Sequence, residues 1–412
     1  LTQGRDSVAA RWSGSRGALP GMPEPALNMR GQTNKSHPPI LERDLLLRAV
    51  TSAGSEAVAA YKAWRATVDF KGPIDPETAA LLPQLYQALL KLGLDDPLMG
   101  IFAGVSRRAW YENQILLASV ERSLDSLARE QVDCCLVGEL PLVLTHYRSL
   151  HSRQIGQIDI VVSPGHAPRA ARLLSTSGWV AQSPLAAEEV AYNHIKRFTG
   201  PAARVLNLHW HFIGSASSAA ADEFFWAARQ RFVVHGAEAW RLSPTAMLLH
   251  SLLGDTPMLA AMPALWIADE RALIAGAGHE IDWAQIADFA TRQKLGSRLR
   301  RKLQLLGRFG VAVPELAANG SPDGRASLAD AIDGVILRHR TQRREYTPIG
   351  KWGVFADYLR SERRTGFLRG VVEFPHFVRH RWGLRGRREV LPVAARRVWR
   401  AAGFTWPRPT ER

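Results

Sequence analysis

The stretch "RQIGQIDIVVSP", Arg153 to Pro164, decides how the rest of the chain is read. Its centre, Gln157-Ile158-Asp159-Ile160-Val161-Val162, is a short run rich in β-branched residues and closed by Ser163-Pro164, which predicts a strand. Side chains alternate along a strand, so Gln157 and Asp159 share one face. Upstream, "VDCCLVG" (Val132 to Gly138) is a second, buried strand that ends at a glycine, and "ELPLVLTHYRSL" between the two reads as a helix. Downstream, "HAPRAARLLSTSGW" is a helix closed by Gly178. After it, "RVLNLHWHFI" alternates Val205, Asn207, His209 and His211 on one face with Leu206, Leu208, Trp210 and Phe212 on the other. Strands interleaved with helices argue for an α/β or α+β unit of about 100 residues; the fold expected for the whole is α+β, a small mixed-sheet core embedded in a mostly helical protein.

The flanks are helical. Before the core, "LERDLLLRAV" and "PETAALLPQLYQALLKLG" have apolar residues at helical spacing, and Asp75-Pro76 reads as an N-cap followed by a first-turn proline. An amphipathic pattern runs from about Leu98 to Glu130, with Trp110, Ile115, Leu116, Val120, Leu124 and Leu127 recurring every three or four residues. After the core come "SPTAMLLHSLLG", "ALWIADERALIAG", "DWAQIADFATRQ" and "LGSRLRRKLQLLGRFG". The expected organisation is a disordered leader over 1–40, a helical region over 41–131, the α/β core over 132–240, a helical domain over 241–330 and an Arg-rich region over 331–412.

The 412 residues are 46% hydrophobic, enough for a sizeable core, and carry a net charge of +15. The charge is uneven: residues 338–412 hold 19 Lys and Arg against 6 Asp and Glu, a difference of +13. "RHRWGLRGRREV", with Trp382 among arginines, suits stacking on or clamping a nucleic acid, and equally suits a solvated basic surface. The two cysteines, Cys134 and Cys135, are neighbours whose side chains a strand sends to opposite faces, so no bridge joins them. Sparse cysteine fits a reducing, cytoplasmic compartment. No apolar run reaches the roughly 18 residues of a spanning helix, which argues against a transmembrane segment.

In order, the chain shows the strand ending in Gly138, then Arg153, "QIDIVV", "SGW" and "NLHW". After these come "LSP" (Leu242 to Pro244), "LLH" (Leu248 to His250), "WIAD" (Trp266 to Asp269), "IDW" (Ile281 to Trp283) and "VPE" (Val313 to Glu315). This ordered set, over roughly residues 75 to 320, resembles the bacterial uncharacterised nucleotidyltransferase family of the polymerase-beta-like superfamily. The resemblance implies transfer of a nucleotidyl group from a nucleoside triphosphate to an acceptor the sequence does not identify. It also implies Mg²⁺ or Mn²⁺ held by three carboxylates on adjacent strands, the ions bridging the phosphates and the incoming hydroxyl.

Laid on that pattern, the family's Lys before the glycine is Val137, the first acid of its Asp-hydrophobic-Asp pair is Gln157, and its third acid is Asn207. Asp159 is kept, with Gly138, Arg153, His209 and Trp210. Two unit charges about 4 Å apart interact by roughly 4 kcal/mol at an effective dielectric near 20, so losing two acids should cripple tight Mg²⁺ binding. Asp159 is therefore the candidate catalytic acid, and Gly138, Arg153, Gln157 and Asn207 are candidate nucleotide-binding residues. Asp159 with His209 is the candidate metal pair.

Several positions stay open at this level. His211 shares a predicted face with His209, a transition-metal arrangement or simply two residues of the fold. Arg153 suits either a triphosphate contact or a local acid. Glu139 would repel phosphates beside Gly138 unless it, or Glu188, supplies a displaced ligand. His250, Trp266, Asp269 and Trp283 read as packing and capping residues. Three functions follow: a transferase with weakened or lost activity, an inactive nucleotide- or partner-binding pseudoenzyme, or a nucleic-acid-binding accessory protein.

Overall fold

The computed structural model describes residues 40–147, 149–200, 204–214, 218–254, 262–293 and 295–314. The leader before residue 40, the end of the expected helical domain beyond 314, and the Arg-rich region with Trp382 lie outside the described residues.

The protein is α+β, as expected, but its sheet is larger than the three strands read from sequence. Seven strands are ordered β3-β4-β5-β2-β1-β7-β6. They are β1 (Cys134–Val137), β2 (Gln157–Val162), β3 (Val180–Ala181), β4 (Ile195–Thr199), β5 (Val205–His209), β6 (Arg229–Val234) and β7 (Ala237–Leu242). At the centre β1 pairs antiparallel with β2, while β2–β5 and β1–β7 are parallel and the outer pairs antiparallel. The β6–β7 hairpin escapes a pattern reading because its turn is His235-Gly236 rather than Asn-Gly. Both residues nevertheless have positive φ, 53° and 102°, as a two-residue turn that matches strand twist demands.

Helices flank the sheet. In the N-terminal part they are α1 (Ile40–Thr51), α2 (Gly54–Arg65), α3 (Pro76–Leu92) and α4 (Met99–Arg129). Asp75 caps α3 as expected, its carboxylate accepting from the N–H groups of Glu77 and Thr78 at 3.0 Å. Within and after the sheet come α5 (Glu139–Leu142), α6 (Ala167–Thr176), α7 (Ala187–Tyr192), α8 (Ala219–Ala227), α9 (Pro244–Leu253), α10 (Pro263–Ala277), α11 (Trp283–Arg292) and α12 (Gly296–Arg308). The expected helix over "ELPLVLTHYRSL" is only partly α: α5 widens into a π-turn over Val143–Tyr147, with the Thr145 hydroxyl donating to the Pro141 carbonyl at 2.6 Å. No described helix is long and apolar enough to cross a membrane.

Two cores lie on the two faces of the sheet. On one face Cys134, Leu136, Ile158, Ile160, Leu206 and Leu208 pack with Leu116, Val120 and Leu124 of α4 and Ala170 and Leu174 of α6. On the other, Cys135, Val137 and Val161 pack with the N-terminal helices and with α9 to α12. The adjacent cysteines thus look into different cores, both thiols free and buried. Of the four fully buried tryptophans among the described residues, Trp179 donates to Ser123, Trp210 to the Val190 carbonyl and Trp266 to Ser251, as buried indoles require. The fourth, Trp64, has no acceptor for its indole N–H among the described residues. Helices α9 to α12 cover the second face over β1 and β7, while over β4 Arg197 and Thr199 are exposed.

Candidate functional site

The strand register places the candidate residues at the border between the covered and open halves of that second face. Asp159 of β2 lies directly beside Asn207 of β5, and Gln157 and His209 are their i−2 and i+2 neighbours, on the same side of the sheet. The four side chains form one cluster. Gln157 Nε2 donates to Asp159 Oδ2 at 3.0 Å, Asn207 Nδ2 donates to Oδ1 at 2.9 Å, and His209 Nε2 meets the same Oδ1 at 2.9 Å. Asp159 is only 8% exposed. Burial alone would push its carboxyl up, but the hydrogen bonds and charge of His209, with the two amide donors, hold it below the usual carboxylate range. The glycine that ends β1 completes the arrangement: Gly138 has φ 72° and ψ −137°, and a Cβ there would stand 3.1 Å from Asp159 Oδ2. Only glycine leaves that carboxylate room without backbone strain.

Beneath the cluster, His250 of α9 is pushed down to about 4 by burial and by neighbouring His209. A neutral imidazole there adds no positive charge under the site.

Arg153 belongs to a second cluster. Its guanidinium is 3% exposed and forks onto Asp269 of α10, Nε to Oδ1 at 3.1 Å and Nη2 to Oδ2 at 3.0 Å. Tyr147 donates to Asp269 Oδ1 at 2.7 Å. On its other side Arg153 Nη1 lies 3.5 Å from Glu139, whose carboxylate also accepts the Gly156 N–H at 2.6 Å. Burial raises Glu139, and Arg153 and the Gly156 N–H offset part of that rise. Glu139 is therefore turned to the turn before β2 and not to Asp159, while Glu188 is an exposed residue of α7. Arg153 resolves toward its local acids. Those acids include Asp269, which the sequence suggested only as a packing or capping residue.

Of the two readings of His209 and His211, the structure has no pairing of the two rings. Strand β5 ends at His209, the chain turns, and His211 Nδ1 meets Asp222 of α8 at 2.6 Å while Asp222 also accepts the Phe212 N–H at 3.0 Å. Asn113, a buried residue of α4, was missed entirely. It accepts from Ile155 N at 2.8 Å and donates to the carbonyls of Leu150 and Arg153 at 3.0 and 2.9 Å, clamping the loop that leads into β2. Its one signal in the sequence is an amide in the apolar stripe of a long amphipathic helix.

The model of a family described as uncharacterised nucleotidyltransferases matches residues 77–309, more than half of the chain. The chain belongs to that family. No curated protein matches it. The matched span contains both clusters, and its chemistry sets a test for the donor atoms. Nucleotidyltransferases generally use divalent metals, which seek several anionic oxygens. Here the cluster offers a single carboxylate, both of whose oxygens accept amide N–H groups, beside two neutral amides and an imidazole. Asp159 and His209, the sequence's candidate metal pair, are hydrogen-bonded to each other. Among the described residues, no three His, Cys, Asp or Glu side chains gather closely enough to hold a metal ion. This donor set does not fit a pair of Mg²⁺ ions.

Proposed function

We propose that this member of the nucleotidyltransferase family binds a nucleoside triphosphate on its core while transfer of the nucleotidyl group is weakened or lost. One observation carries the reading. At the two positions where the family pattern has acids, Gln157 and Asn207 supply amide N–H donors that bond Asp159. A carboxylate already holding three hydrogen bonds, from Gln157, Asn207 and His209, has little reason to exchange them for a hydrated cation. The fold that presents the site is kept: Gly138 still opens the turn, and the Arg153–Asp269 pair with Asn113 still fixes the approach to β2.

The test is isothermal titration of Mg²⁺ and Mn²⁺, with and without each triphosphate, on the wild type and Asp159→Ala. The expected result is triphosphate binding that does not require metal and survives in the variant. Triphosphate binding that appears only with metal and disappears in Asp159→Ala would restore a working transferase site.

A further inference from the structure

The open half of the sheet carries a cation that the family resemblance did not single out. Arg197 on β4 pairs directly with Asn207 on β5, which in turn lies beside Asp159 on β2, so the three sit in one row across neighbouring strands. Its neighbours Lys196 and Phe198 are buried, and Phe198 joins the α4–α6 core on the far face. Alternation therefore sends Arg197 to the side of Asp159, Asn207 and His209. Strands stand about 4.8 Å apart, so its Cα is about 10 Å from that of Asp159, with only Asn207 between them.

Arg197 is exposed and makes no hydrogen bond or ion pair among the described residues. That separates it from the arginines nearby. Arg153 is buried on Asp269, and Arg204 lies 3.5 Å from Glu112. With amides at 157 and 207, this side of the sheet holds one carboxylate, already hydrogen-bonded by Gln157, Asn207 and His209, and one uncommitted guanidinium. An exposed, uncommitted guanidinium attracts anions and grips phosphate through paired N–H groups.

We propose that Arg197 binds the phosphates of a nucleoside triphosphate directly, without a bridging metal ion. This rests on the nucleotide-binding reading above and deepens it, because it assigns the group that replaces the metal in holding the phosphates. The loss of two acids and the presence of a free Arg197 then describe one change, from a cation site to a phosphate site.

The experiment is titration of each triphosphate, its uncharged nucleoside and inorganic pyrophosphate, in EDTA, into wild type, Arg197→Ala and Arg172→Ala. Arg172 is an exposed arginine of α6, on the far face, and controls for loss of one positive charge anywhere on the protein. Arg197 is itself exposed, so its removal leaves the fold intact, which thermal unfolding of the variant verifies. The expected result is wild-type triphosphate binding in EDTA, at least tenfold weaker in Arg197→Ala, with Arg172→Ala and any nucleoside binding unchanged. Metal-free triphosphate binding that is equally tight in Arg197→Ala overturns the assignment of Arg197 and leaves nucleotide binding standing. Triphosphate binding that vanishes in EDTA overturns the metal-independent mode. No triphosphate binding under any condition overturns the nucleotide-binding reading itself, and this inference with it.

Discussion

Breaking the buried pair between Arg153 and Asp269 should be costly, and the structure says by how much. The two side chains are 3% and 2% exposed and joined by two hydrogen bonds of 3.0 and 3.1 Å. Removing one partner of such a pair strands a buried charge, which typically costs about 3–5 kcal/mol. In Asp269→Asn the stranded group is the guanidinium, which keeps Glu139 at 3.5 Å, so the lower end, about 3 kcal/mol, is expected. Arg153→Met strands both Asp269 and Glu139 and should cost about 4 kcal/mol or more. Replacing both partners with apolar residues in Arg153→Met/Asp269→Leu removes the charges of this pair together and leaves only Glu139 stranded. The double variant should then be less damaged than the sum of the singles by about 3 kcal/mol. Urea unfolding of the four proteins, with m-values compared, measures this coupling. Singles within about 1 kcal/mol of wild type, or a double variant equal to their sum, would refute the claim that this pair joins α10 to the turn before β2.

Other expectations follow from the same geometry. Gly138→Ala places a Cβ 3.1 Å from Asp159 Oδ2 at φ 72°, and should cost about 1–3 kcal/mol of stability in the same unfolding assay. Asn113→Ala removes three hydrogen bonds, two of them buried, and amide exchange should become faster from residue 150 to 156 while the far strand β6 keeps its protection. His250 is lowered to about 4 from an ordinary 6.5, so the unfolded chain takes up a proton before the folded one does. Its contribution to stability is whole above pH 6.5 and is lost as pH falls toward 4, and His250→Gln should flatten that limb of a stability–pH curve. Glu270 runs the other way. Burial raises it from 4.5 to about 8, so its contribution is whole below pH 4.5 and is lost as pH rises through 8, a limb that Glu270→Gln should remove.

What the sequence revealed depended on whether local pattern and tertiary role agreed. They agree in β1 and β2, where apolar pattern and burial coincide, and at Asp75, whose capping chemistry is local. In α4 they agree in part: the stripe is buried at Leu116, Val120, Leu124 and Leu127, but Trp110 and Ile115, read as part of it, are exposed. They disagree in β4, where Lys196 occupies an inward position that pattern reading reserves for an apolar side chain. The structure tolerates it because both carboxylate oxygens of Glu189 lie 3.1 Å from the ammonium. That masked strand is the one that carries Arg197. The grouping of Gln157, Asp159, Asn207 and His209 was readable because i and i+2 fix a face. The partner of Arg153 was not, since Asp269 is 116 residues away in sequence. His211 misled for a related reason: alternation holds only while the strand lasts, and β5 ends two residues before it.

The neighbouring cysteines give the molecule a pair of internal reporters. Burial pushes Cys134 up to about 12 and Cys135 higher still, so neither thiol reacts while its side of the sheet stays closed. One answers for the α4–α6 layer and the other for the layer built by the flanking helices. The rates at which an alkylating reagent marks each one would therefore tell which layer lifts away first, with no label introduced and no residue changed.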